Sequence, residues 1–435
     1  MPSSMWVWVV AAAALFGGCP QAAWAQSEVD ILLDKLVQKG VLSTDEVGEI
    51  RKEIAQTHQE RHTELAKELV PDSSRNWRWG GDIRLRNEYR NRTGTGADTN
   101  RQRIRFRYGF DAKVSDQLNV GARLATGNTN EPVSTNQSFN GAFNHKNFLL
   151  DRALVSYVPD LPGITKLKLS GGIIENPFWG VGALVWDDDL NFDGAAVQWT
   201  QELSPTASIF SNSGLCSIQT DVTEAASLWS TQGGVVVKPF PDAPEELLKH
   251  LQVTGAIAYH DYHNVTGPYS ENNAFAQAGG STTTTPAAPT TAQLKGNSAT
   301  VRDFDLLNPS VEIGSQYGKI PFGLFGDWVH NTAMTEEENG FQLGVKVGKA
   351  RVPFDLTQGW EAGYYFERIE PDAAFGPYVD SDFGNGGTNH RGHVYWIKLA
   401  TLEASSIQLK YFNAREVSGS KAKTDTFQAD WVTKF

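Results

Sequence analysis

Residues 101–110 read RQRIRFRYGF, and the alternation in this stretch decides the fold. Arg101, Arg103, Arg105 and Arg107 take every second position, while Ile104, Phe106, Tyr108 and Phe110 fill the places between. Successive side chains of a β-strand point to opposite faces, so the segment carries one cationic wall and one apolar wall. The preceding segment repeats the scheme. Trp77, Trp79, Ile83, Leu85 and Tyr89 share one parity; Arg84, Arg86, Glu88, Arg90 and Arg92 share the other, and Arg123 fits further on. A half-buried soluble sheet with a basic outer face is one setting for this pattern. The other is a membrane wall with water behind it. An arginine facing lipid at mid-membrane costs ~2–4 kcal/mol, so in that setting the apolar wall faces hydrocarbon and the arginines face an aqueous interior. Asn87 interrupts the apolar wall, which is tolerable near an interface.

The rest of the chain favours the membrane setting. From Trp77 to Phe435 the period is two, with strands expected near 77–92, 101–114, 118–126, 148–158, 165–174, 192–202, 206–213 and 227–238. Eight more are expected near 249–262, 301–314, 320–330, 340–348, 358–368, 390–400, 405–413 and 424–435. That makes about 16, an even number, as single-chain bacterial barrels have. The connections SDQ (115–117), ELSP (202–205), SQYGK (315–319) and TLEAS (401–405) are tight, whereas 127–147, 175–191, 263–300 and 369–389 are long. Short turns on one rim and long loops on the other suit an outer-membrane barrel. The final strand, TFQADWVTKF, alternates Phe427, Ala429, Trp431 and Phe435 with polar residues and is expected to close the seam with the first strand.

Composition is compatible with this. The chain has 435 residues and a formal charge of −12, which argues against a nucleic-acid partner. Mean hydropathy is negative, as expected of a water-filled barrel whose apolar and polar residues alternate. The N-terminus reads as a signal peptide over 1–25: an apolar core from Trp6 to Phe16, then Ala23-Trp24-Ala25 with cleavage after Ala25, although no Lys or Arg precedes the core. A lipoprotein reading through Cys19 is weaker because Phe16 stands where a small aliphatic residue is expected. Signal removal leaves Cys216 as the sole cysteine and no intramolecular disulfide. Residues 26–72 form a second region, expected to be periplasmic and helical. Ile31, Leu32, Leu36 and Val37 make one stripe, and STDE at 43–46 is a capping box. This short apolar seam suits either a small self-associating coiled coil or a solvated spacer.

One loop stands apart. ENPFWGVGALVWDDDLNFDG (175–194) joins an apolar interior to Asp187, Asp188, Asp189 and Asp193. WGVGALVW is too apolar to float in water, so the loop is expected to fold inward, setting its acidic groups against the arginines across a narrowed pore. An acidic loop on the outer surface is the alternative.

These features together resemble the bacterial outer-membrane porins, in particular the family named putative porins. The likeness rests on the leader, LLDKLVQKGVLSTDE, RWGGDIRLRNEYR with RQRIRFRYGF, LDRALVSYVP (150–159), NPFWG with DDDLNFDGAAVQW (176–199) and the terminal Phe435. It touches most of the mature chain. The resemblance implies an all-β transmembrane antiparallel β-barrel in the outer membrane of a Gram-negative bacterium, a passive channel for small hydrophilic solutes or ions, and a homotrimer surrounded by outer-membrane lipid. It also implies a third long loop folded into the barrel, so that Asp187 to Asp189 face Arg84, Arg86, Arg103 and Arg105. The candidate constriction is therefore Arg84, Arg86, Arg90, Arg101, Arg103, Arg105, Arg107 and Arg123 with Asp187, Asp188 and Asp189.

Other chemistry is expected to be absent. DLNFDG (189–194) matches half a calcium loop, but Thr200 stands where a Glu is required. His260 and His263, like His390 and His393, are three apart and so fall on opposite faces of a strand. No GxSxG or other nucleophile signature occurs. No cofactor, metal or enzymatic activity is expected. The competing function is a closed barrel serving as a surface adhesin or scaffold. Strand number separates the two, since about eight strands leave room only for side chains and about 16 leave a channel.

Overall fold

The computed structural model describes residues 35–39, 43, 46, 47, 49, 76–93, 98–129, 131–219, 225–265, 295–298, 303–384 and 386–435. The expected signal peptide and most of the helical segment over 26–72 lie outside these residues, as does most of the 263–300 connection. Residues up to Arg75 form one compact unit and Asn76–Phe435 another. In the first, Ser43 and Glu46 make the reciprocal capping contacts expected of them. The Ser43 Oγ accepts from the Glu46 amide at 3.3 Å and the Glu46 carboxylate accepts from the Ser43 amide at 2.8 Å.

Among the described residues of the second unit, 17 strands belong to one sheet. They are β1 (Trp77–Thr93), β2 (Thr99–Lys113), β3 (Leu118–Thr126), β4 (Gln137–Ser138), β5 (Phe148–Tyr157), β6 (Lys166–Glu175), β7 (Asn191–Ser204), β8 (Ala207–Gln219) and β9 (Ala226–Val237). There follow β10 (Gln252–His263), β11 (Phe304–Tyr317), β12 (Ile320–Asn331), β13 (Asn339–Gly348), β14 (Trp360–Ile369), β15 (His390–Leu402), β16 (Ser405–Glu416) and β17 (Lys423–Lys434). β4 is a two-residue strand inside the 127–147 connection, paired to β2 at Arg103 and Ile104. The remaining sixteen strands pair antiparallel with their sequence neighbours, and β1 pairs with both β2 and β17, closing the barrel. All sixteen fall where the period-two pattern places them.

Closure depends on the chain end. Gly81 donates to the Phe435 carbonyl at 2.9 Å and accepts from the Phe435 amide at 3.1 Å. The Phe435 ring packs beside Phe106 and Tyr108. A side chain at position 81 would collide with the Arg107 carbonyl and the Phe435 ring, so glycine alone fits this seam.

The outward parity is apolar around the barrel. Ile83, Leu124, Leu215, Ile257, Leu324, Leu343 and Ile397 are all exposed on the outside. Exposed apolar area on this scale belongs in contact with hydrocarbon rather than water. Asn87 and Asn100, the polar intrusions on the first hairpin, satisfy each other through an amide hydrogen bond of 3.2 Å.

The sorting of connections is looser than the sequence suggests. On the turn rim, 238–251 carries a short helix (α1, Glu246–Lys249), and 349–359 is longer than a tight turn. On the loop rim, 94–98 and 417–422 are short. Loop-closure entropy rises only slowly with length, so neither rim is held to one length by the fold itself.

Candidate functional site

The inward parity of β1, β2 and β3 places every expected arginine inside the barrel, but engaged with partners rather than bare. Arg86 binds Asp430 of β17 at 2.7 Å and Asp382 at 2.8 Å. Arg105 and Arg107 share Asp82, at 2.8 and 2.7 Å. Arg90, Arg101 and Arg103 converge on Glu88, which is wholly buried (0% exposed). Arg123 binds Asp151, and Arg84 donates to the Asn136 side chain at 2.7 Å. Arg86, Arg90, Arg103 and Arg105 are buried, which corrects the expectation of a wall of guanidiniums open to water. An unpaired guanidinium in a confined, protein-lined space loses hydration, and the interleaved carboxylates compensate for it. Those carboxylates are legible in part: Asp82 and Glu88 share the arginines' parity in sequence.

The 176–190 loop folds inward, as its apolar interior requires. Leu184 and Val185 are buried in a cluster with Leu228, Phe304 and Leu306 from the barrel wall. Trp186 meets the His260 ring edge-on at 5.0 Å between centroids. Trp179 is clasped by Gln232, whose amide oxygen accepts from the Trp179 amide and whose Nε2 donates to the Trp179 carbonyl, each at 2.8 Å. At the loop apex Gly182 lies against the Gln342 amide, which a side chain at 182 would have to push aside.

A second inward loop, 370–389, was not foreseen. Ala373, Ala374, Phe375 and Val379 join the same buried cluster. The two loops are stitched together: the Asp187 amide donates to the Tyr378 carbonyl at 2.8 Å and the Asp380 amide to the Ala183 carbonyl at 3.3 Å. Its sequence, DAAFGPYVDSDF, has the same mixture of apolar residues and aspartates that singled out the first loop.

The three consecutive aspartates do three different things. Asp189 alone reaches the arginines, lying 3.5 Å from Arg105 and 3.6 Å from Arg107, and it also accepts from the Thr135 hydroxyl at 3.1 Å. Burial opposes its charge, but Arg105, Arg84 and Arg107 hold its carboxyl below the usual range. Asp187 turns away and accepts from the Ser381 amide at 2.8 Å; burial first, then Asp380 and Asp189, push its carboxyl well up. Asp188 is open to lumenal water, yet surrounding protein raises its carboxyl, with Asp189 and Asp382 adding to the effect and Lys410 opposing it. Thus Arg86 and Arg103 do not face the 187–189 run as expected. Their partners are Asp382 and Glu88, because an irregular loop aims adjacent side chains in different directions. Asp382, despite burial, is held low by Arg86 and Lys410.

Between the arginine wall and the two loops lies a cavity of about 590 Å³, lined among others by Arg84, Asp188, Trp179, Gln342, Trp396 and Lys410. Asp189 and Asn191, of the half-calcium sequence, are engaged by Arg105 and by Arg152, whose Nε donates to the Asn191 amide oxygen at 2.9 Å. His260 points inward to the Ser230 hydroxyl at 2.9 Å, and His393 points outward to Tyr364 at 2.9 Å.

The family model described as "Putative porin" matches residues 88–330 and 310–435. The chain belongs to this family. The fold agrees. The structure titled "High pH structure of Pseudomonas putida OprB" is 9% identical, covering 83% of this chain and 95% of that one, with a TM-score of 0.51. Salmonella typhi OmpF in complex with Daunomycin is 10% identical, covering 82% and 97%, with a TM-score of 0.47. Pseudomonas aeruginosa OpdL is 11% identical, covering 83% and 99%, with a TM-score of 0.42. No curated protein matches the sequence. This protein is therefore a porin of the bacterial outer membrane, a channel rather than an enzyme. Sixteen wall strands leave an aqueous interior, where about eight would not.

Proposed function

We propose that this porin passes small hydrophilic solutes or ions by diffusion through a constriction bounded by the arginine wall and the two inward loops. The observation that carries the reading is Asp188, an acidic side chain left open to lumenal water while its neighbours Asp187 and Asp189 are consumed in loop contacts. Arg84 and the other seven arginines act mainly through their pairing, which sets the wall's shape and leaves a modest positive residue. Lys410 of β16 and Asp188 provide the opposing charges that a passing solute meets. Fixed charges at a narrow, water-filled point discriminate among solutes by sign and polarity. Single-channel conductance and reversal potential in a salt gradient test this. Open, charge-sensitive conductance altered by Asp188→Asn is the expected result; a silent barrel would favour the scaffold alternative.

The reading includes export with loss of 1–25, a periplasmic helical segment at 26–72, a barrel at 77–435, and assembly as a homotrimer in outer-membrane lipid. The seam of Ile31, Leu32, Leu36 and Val37 supports an assembly role for the segment. Deleting 28–69 should leave conductance per channel intact while loosening the trimer; intact trimers from the truncated chain would remove that role.

A further inference from the structure

Four cations stand in a row on the outside of the barrel. In the strand register Arg368 of β14 lies opposite Arg391 of β15, Arg391 opposite Arg415 of β16, and Arg415 opposite Lys423 of β17. All four share the lipid-facing parity, at the ends of their strands on the rim that carries the 176–190 and 370–389 loops. Four residues further into the membrane, Tyr364, Tyr395, Tyr411 and Phe427 are paired across the same four strands. That aromatic row marks the boundary of the hydrocarbon. Four residues along a strand is ~13 Å, or ~9 Å along the membrane normal after tilt, so the cations stand at headgroup depth.

We infer that this sector, β14 to β17, is a docking site for phosphate-bearing headgroups of the outer-leaflet lipid. The charge balance argues for an external anion. Arg368 pairs with Glu370 at 2.9 Å and Lys423 with Asp425 at 2.9 Å. Asp425 is further engaged by Tyr411 at 3.0 Å and Asn413 at 2.6 Å. The central pair, Arg391 and Arg415, is exposed and makes no ion pair among the described residues. Like charges directly opposite on a sheet destabilise it, so two adjacent arginines are a liability until an anion lies between them. A phosphate accepts hydrogen bonds from two guanidinium forks at once, a geometry ammonium groups match less well. The row is local. On β10 and β11 the corresponding rim position is acidic, with Asp261 opposite Asp305. The anionic surface is thus engaged by one sector of the wall and avoided by another.

The full chain in neutral detergent micelles tests this, as wild type, R391E/R415E and R391K/R415K. The probes are lipid A carrying two phosphates, its dephosphorylated form, and inorganic phosphate, with bound lipid read by native mass spectrometry. Wild type should retain the phosphorylated lipid, the Lys variant should retain most of it, and the Glu variant should bind at least tenfold more weakly. The dephosphorylated lipid should not be retained, and millimolar phosphate should not displace the phosphorylated one. Equal retention by the Glu variant, or equal retention of the dephosphorylated lipid, would overturn the inference. Displacement by phosphate would make this a free-anion site instead. Loss of oligomer with lipid binding unchanged would assign the row to a second copy of the chain. Heat-modifiable gel mobility checks folding, and R391Q and R415Q singly give the same readout if the double reversal does not assemble.

Discussion

On β1, β2 and β17 the inward side chains are charged and paired, Arg86 with Asp430 and Arg105 with Asp82. On β8 to β14 the inward polar side chains are largely amides and hydroxyls, set among apolar ones. Asn308 and Ser310 donate to Asp327 at 2.7 and 2.8 Å, Asn212 donates to Gln232 at 2.9 Å, and Gln342 donates to Glu367 at 2.6 Å. The first wall pairs guanidinium with carboxylate, and the second hydrogen-bonds amides and hydroxyls to one another and to the Asp327 and Glu367 carboxyls. The difference teaches that counting cations on a wall overstates its field. Most of the arginine wall's charge is consumed inside the wall, and what a solute meets is set by the few side chains left over.

The comparison breaks first at Glu88, which three guanidiniums share. Glu88→Gln should cost about 3–5 kcal/mol, because it leaves buried cations without a counter-ion. Urea unfolding of the protein in vesicles would measure it, and a loss under about 1 kcal/mol would show that the arginines are solvated after all. On the amide-bearing wall, Gln232→Ala removes two hydrogen bonds to Trp179 and should cost about 1–3 kcal/mol with no change in ion preference. A shifted reversal potential in that variant would contradict the division between the walls.

Asp188→Asn isolates a single open charge. One unit charge at about 4 Å in water is worth about 1 kcal/mol, so the permeability ratio should move toward anions by up to about fivefold. The smallest effect is in pH. Surrounding protein, with Asp189 and Asp382, raises the Asp188 carboxyl although its side chain stays open to the lumen, so on acidification it becomes neutral before an ordinary aspartate does. Anion preference should therefore rise as pH falls through a point above the usual aspartate range, and this step should vanish in Asp188→Asn. A wild-type profile without the step would place the limiting charge elsewhere.

Much of this was legible in the chain. RQRIRFRYGF and its partner segment assign which face meets lipid, and WGVGALVW requires the 176–190 loop to fold inward, because neither arginine in hydrocarbon nor a long apolar loop in water is tolerated. The second inward loop went unread, since DAAFGPYVDSDF is less apolar and its burial depends on a surface that the first loop creates. Asp189 beside Arg105 is legible in the sequence, but most of the other arginine partners are not. Asp430 lies far from Arg86 in sequence and meets it only because β17 closes against β1.

The sequence by itself determined a barrel of about 16 strands, the lipid and lumen faces of its first hairpin and the seam at Phe435, since period-two alternation is a local property of the chain. Tertiary structure alone decided which carboxylate neutralises which guanidinium, and that Asp188 stays open while Asp187 and Asp189 do not. Those outcomes depend on barrel closure and loop docking, where groups distant along the chain come within ion-pair range and the loss of hydration selects the pairings.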